Sequence, residues 1–94
     1  MLEKHLEQQL KTAIEKQGGL CLKMVSPTMA GIPDRLAILP HGHLAFIELK
    51  RPGQKPRPLQ QHRINQLNQL GIKALTLDHP DHIPQTIKDI TGQP

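Results

Sequence analysis

Aromatic residues are almost missing from this sequence: Phe46 stands alone, with no Trp and no Tyr among 94 residues. Its core must be aliphatic and modest, because a chain this short buries only about two-thirds of the surface it exposes when unfolded. The same lack removes any stacking platform, which excludes sequence-specific reading of single strands or RNA loops. A single cysteine, Cys21, cannot close an internal disulfide, and its neighbours Leu20 and Leu22 mark it as a small buried hydrophobe rather than a reactive thiol. No apolar run is long enough to cross a membrane. The opening Met-Leu-Glu-Lys-His-Leu-Glu lacks the basic-then-apolar order of a secretory signal, so a cytoplasmic setting is expected, with no membrane and no organic cofactor. Zinc is not expected either: His41 and His43 fall in a turn, His79 and His82 match no structural module, and cysteine ligands are lacking. Neither Ser26 nor Cys21 sits in a nucleophile arrangement.

What the chain does carry is positive charge. A formal net charge of +4 on a small protein makes nucleic acid the default partner. The length leaves room for one domain, residues 1–94. Leu2, Leu6, Leu10 and Ile14 recur at helical spacing and stop at Gly18-Gly19, predicting a helix over 3–17. Leu20 to Val25 reads as a strand halted by Ser26-Pro27. Arg35–Leu39 and Leu44–Leu49 flank the turn cluster Pro40-His41-Gly42-His43 and form a β-hairpin, with apolar residues on both faces as in covered central strands. Arg51 to Pro58 is a proline-rich loop. A helix over 59–70 ends at Gly71, a strand follows over 72–77, and Ile83, Ile87 and Ile90 space a short last helix. The order αβββαβα is that of an α/β fold.

Three charged residues stand where a half-buried sheet has little reason to place them: Asp34, Glu48 and Lys50. Residues i and i+2 of a strand share a face, so Glu48 and Lys50 point one way and Leu49 the other. Whether Asp34 joins them depends on register. An odd number of unpaired residues in the hairpin sets Asp34 opposite Glu48 or Lys50, whereas a two-residue turn sets it opposite Leu49; an odd loop or a bulge is therefore expected. Two carboxylates with a backbone carbonyl make a hard-oxygen site suited to Mg²⁺ or Mn²⁺, and Lys50 beside it could hold a phosphate or orient a water. The competing reading is an exposed ion pair on an edge strand, of little energetic worth.

Gly31-Ile32-Pro33-Asp34, a hairpin, and then Phe46-Ile47-Glu48-Leu49-Lys50 resemble the PD-(D/E)xK nuclease superfamily, and the spacing and flanks are similar to its VRR-NUC branch. The resemblance covers nearly the whole chain. It implies a restriction-endonuclease-like αβββαβ core, a mixed central sheet flanked by helices, with a short C-terminal helix. It also implies metal ligation by Asp34, Glu48 and the Leu49 carbonyl, with Lys50 in the catalytic lysine position. Glu7 best matches the family's helical glutamate as a further ligand, and Glu3, one turn earlier, is its rival. Gln60 matches a glutamine at the start of the next helix, and it lies on the same stripe as Ile64 and Leu67. Lys23 and Ser26 fall where this branch carries polar residues, and Lys23 could contact a phosphate.

From Lys50 to Arg63 there is no acid, while Lys50, Arg51, Lys55, Arg57, His62 and Arg63 are all basic. Beginning at the candidate metal site, that stretch suits a clamp on DNA phosphates, with Arg51, Lys55, Arg57 and Arg63 as its contacts. The expected activity is a Mg²⁺- or Mn²⁺-dependent DNA endonuclease. The domain is small, so a homodimer with two sites for a branched duplex or four-way junction is the natural form. Size alone would suit a phage-encoded protein in the host cytoplasm. The alternative is a basic DNA-binding module that keeps the fold without the chemistry.

Overall fold

Leu6, Leu10 and Ile14 lie on one side of α1 (Glu3–Lys16), and all three are almost wholly buried, so the helical stripe is the face that packs. The computed structural model describes residues 3–93; Leu2, the expected first member of that stripe, lies outside them. Four strands follow: β1 (Leu20–Lys23), β2 (Arg35–Leu39), β3 (His43–Leu49) and, after α2 (Pro58–Gln69), β4 (Lys73–Leu77). A 3-10 turn at Pro40–Gly42 joins β2 to β3, and another at Pro80–His82 leads into α3 (Ile83–Thr91). The first strand is shorter than expected and stops at Lys23. The basic loop yields Pro58 to α2, where a proline's missing N–H costs nothing in the first turn.

The sheet order is β1-β2-β3-β4; β1, β2 and β3 pair antiparallel, while β3 and β4, joined through α2, run parallel. This mixed sheet with helices on both faces is the expected α/β architecture. Alternation then sorts the side chains. Ala37, Leu39, Ala45, Ile47, Leu49 and Leu77 turn to one face and join Leu6, Leu10, Ile14, Ile83 and Ile90 in a single closed core under α1 and α3. The other face takes Leu36 and Ile38 of β2, with Leu44, Phe46 and Glu48 of β3. There α2 is docked beside β4 by Asn68, which donates to the Ala74 carbonyl at 3.0 Å and accepts from its N–H at 2.9 Å.

Coverage of that second face is incomplete. Leu20 is 57%, Leu22 45% and Leu44 38% exposed, so β2 and β3 are central strands covered fully on one side only. A close approach at Gly31 fixes the other end of the face. Its φ is +85°, and a Cβ there would stand 2.8 Å from the Leu59 Cγ and 3.1 Å from the Leu59 carbonyl. Only glycine lets the loop before Asp34 lie against the start of α2.

Candidate active site

Three residues, Pro40 to Gly42, separate Leu39 from its partner His43, so the hairpin connection is odd, as register required. With Arg35 opposite Ile47, the next step along the ladder sets Asp34 opposite Glu48. The tip of Asp34 confirms the approach: its Oδ1 accepts the Leu49 N–H at 3.2 Å, and its carbonyl accepts the Met24 N–H at 2.8 Å. Lys50 and Glu48 share their face, with Nζ 3.7 Å from Oε2 and both side chains over nine-tenths buried. The Lys50 backbone is anchored to β4 through the Leu77 carbonyl at 2.9 Å.

Burial sets the electrostatics here. It pushes the Glu48 carboxyl above its ordinary pKa; the Asp34 charge adds to that rise, Lys50 opposes it through its charge and hydrogen bond, and Glu3 adds a smaller push. Gln60, in the first turn of α2, completes the wall. Its Oε1 accepts the Arg57 N–H at 2.9 Å, capping the helix, and its Nε2 lies 3.5 Å from the Glu48 Oε2. A buried carboxylate beside a second carboxylate is a donor pair whose charge a hard divalent cation would relieve. Among the described residues no three His, Cys, Asp or Glu side chains gather closely enough to hold a metal by themselves. The chemistry of the donors fits such a cation, with main-chain and solvent oxygens needed to complete its shell.

Several expected residues are placed differently. Glu7 turns its Oε2 onto the Arg35 Nη2 at 2.7 Å, an ion pair on the α1 side of the sheet. Glu3 makes no such ion pair among the described residues, and its charge adds the smallest of the effects on Glu48. Lys23 pairs with Arg35 across β1 and β2, so it too belongs to the α1 side, opposite the face of Glu48 and Lys50. Arg63 is engaged within the protein: its Nε donates to the Ala30 carbonyl at 3.0 Å and its Nη1 to Gln66 at 3.2 Å. Arg51, Lys55 and Arg57 remain exposed along the loop that leaves Lys50. Asp78 at the end of β4 pins that loop by accepting the Gly53 N–H at 3.2 Å.

One residue escaped the sequence reading. Arg35 is only 7% exposed, and its Nη1 donates to the Asp34 carbonyl at 2.8 Å and lies 3.3 Å from the Asp34 Oδ2. The signal was present, since an arginine at an inward position of a strand whose other inward residues are Ala37 and Leu39 breaks the apolar alternation.

A mixed four-stranded sheet thus brings an aspartate, a glutamate and a lysine together at the open end of its antiparallel hairpin, the arrangement that the resemblance to PD-(D/E)xK nucleases implies. Whole-chain comparisons narrow the class. The sequence is 42% identical over 79 residues to "Putative nuclease p44" of Acyrthosiphon pisum secondary endosymbiont phage 1, covering 84% of this chain and 85% of that protein. A solved structure described as a VRR_NUC domain superposes with a TM-score of 0.86 at 28% identity, over 92% of this chain and 94% of that one. A second, described as a VRR_NUC domain protein, shares the fold with a TM-score of 0.78 at 18% identity, over 100% and 91% of the two chains. No family model matches the sequence. The chain belongs to the VRR-NUC family of nucleases.

Proposed function

We propose that the protein is a Mg²⁺- or Mn²⁺-dependent DNA endonuclease that acts as a homodimer on branched duplexes, four-way junctions foremost. The observation that carries this reading is the meeting of Asp34, Glu48 and Lys50 on one face, with Glu48 buried and its pKa raised. Asp34 and Glu48 would hold the cation, with the Leu49 carbonyl as a further donor. Of the two helical carboxylates, Glu3 suits the remaining place, because its charge acts on Glu48 while Glu7 is engaged by Arg35. When bound, the cation supplies positive charge where a cleaving phosphodiester gathers negative charge. Lys50 donates from Nζ to orient the attacking water or a phosphate oxygen, and its burial keeps that ammonium in one place. Gln60 holds the Glu48 carboxylate from the α2 side.

Arg51, Lys55 and Arg57 line the exit from this site and would contact phosphates of the same duplex, on a loop that its prolines and Asp78 keep ordered. A second copy of the chain is the partner proposed for the bare half of the sheet, where Leu20, Leu22 and Leu44 meet solvent. Because that patch shares a face with the site, a two-fold axis there presents two sites on one side, one for each of two strands.

Incubation with linear duplex, flap, fork and four-way junction DNA, with each metal and without, tests the proposal. Paired nicks in the junction are expected from the native protein and none from Glu48→Gln. Equal cleavage by the two proteins would remove the catalytic reading and leave a DNA-binding module.

A further inference from the structure

Arg35 is an expensive residue for its position. Its side chain enters the closed face beside Ala37 and Ile47, it is 8% exposed, and its buried Nε has no hydrogen-bond partner among the described residues. A buried ion pair is weak evidence of stability, because desolvating a guanidinium offsets most of what its partners return. An aliphatic side chain would extend the core at this place. The polar contacts that Arg35 does make run to Asp34 of the site and to Glu7 of α1. One terminal nitrogen holds the carbonyl and the Oδ2 of Asp34, and the other holds Glu7 of α1. The Asp34 carboxylate is thus gripped from two sides, by Arg35 at Oδ2 and by the Leu49 N–H at Oδ1. Glu7 keeps half-open access to solvent, with 42% of its side chain exposed.

We propose that Arg35 and Glu7 form a positioning pair, in which Arg35 orients the Asp34 carboxylate toward Glu48 and Glu7 neutralises Arg35, so that Glu7 serves metal binding only through Arg35. The inference rests on the reading of Asp34 and Glu48 as metal donors. Fixing a ligand from behind is worth about 10- to 100-fold in metal affinity at other sites. It also ties α1 to β2 at the turn next to Glu3, which sets that carboxylate relative to Glu48.

Calorimetric titration with Mn²⁺ alone, on the native protein, Glu48→Gln, Glu7→Gln, Arg35→Met, Arg35→Lys and the Glu7→Gln/Arg35→Met double variant, tests it, with melting temperatures taken without metal. Arg35→Met should bind Mn²⁺ about 10-fold or more weakly, yet melt no lower than the native protein, because methionine fits the core and Glu7 can turn to water. Arg35→Lys, which keeps a cation but only one contact at a time, should recover part of the affinity. Glu7→Gln should weaken binding alone and add nothing on the Arg35→Met background, as expected of residues that act as a unit. A further 10-fold loss in the double variant would make Glu7 a direct ligand and overturn the pairing. Native-like affinity in Arg35→Met, or an affinity loss matched by a lower melting temperature, would also overturn it. Should the native protein and Glu48→Gln titrate alike, the metal site itself fails, and the pairing with it.

Discussion

The two faces of the sheet are built from the same few residue types and are used in opposite ways. Under α1 and α3 the apolar positions form a closed core, with Ile47, Ala37 and Leu10 at 0% exposure and Ala13, Cys21, Leu75 and Ile87 half-buried at its rim. On the α2 side the helix lies beside β4, and what it leaves uncovered is a bare apolar patch next to a charged corner. Period-2 alternation makes this division possible, because a strand can give one row of side chains to the core and the other to chemistry. The fold's stability therefore rests mainly on the first face, and the second is free to hold Glu48 and Lys50, whose burial opposes stability. Arg35 crosses the division, a polar side chain on the closed face serving a residue of the open one.

Substitutions on each side should show the contrast, beginning with the largest effect. Glu48→Gln, Asp34→Asn or Lys50→Ala should each lower metal-dependent nicking by at least ~100-fold while leaving junction binding largely intact, read by cleavage and gel-shift assays on the same preparations. On the closed face, Ile47→Ala should cost about 2–5 kcal/mol in urea unfolding. Leu22→Ala on the open face should change the stability of the monomer by no more than about 0.5 kcal/mol, and Leu22→Glu should shift sedimentation of the protein to the monomer. Equal costs for Ile47→Ala and Leu22→Ala would abolish the distinction between the faces.

Glu48 sharpens the comparison through pH. Its pKa in the folded protein lies above the unfolded value, so between the two the native state holds the proton more tightly. Stability without metal should fall as pH rises through that window, and the penalty is complete once Glu48 is ionised, above the folded pKa. Glu48→Gln should remove this limb of the pH dependence. Thermal melts in chelator across pH check both. The smallest effect belongs to the loop: Lys55→Ala or Arg57→Ala should each reduce the slope of log affinity against log salt by about 1.

Much of this architecture was legible before any coordinates. The span of β2 over Arg35–Leu39 and the burial of Leu6, Leu10 and Ile14 follow from periodicity. So does the meeting of Asp34 with Glu48, which needs only the parity of a hairpin turn. The apolar content of Leu20–Val25 predicts a longer strand, yet content is not pairing, and the ladder ends where Lys23 meets Arg35. Charge in the sequence predicts Arg63 as a DNA contact, and what it could not show is that the Ala30 carbonyl also engages its Nε.

Sequence alone determined which side chains share a face within each element, because that depends on the 3.6 and 2 residue periods of the local backbone. Only tertiary structure decided how the elements sit against one another. Whether Glu7 or Glu3 approaches Glu48 is a matter of one helical turn, about 5.4 Å along an axis, which helical period alone does not decide. The ion pair of Arg35 with Glu7 and the docking of α2 on β4 through Asn68 join residues far apart in the chain, which local periods cannot bring together.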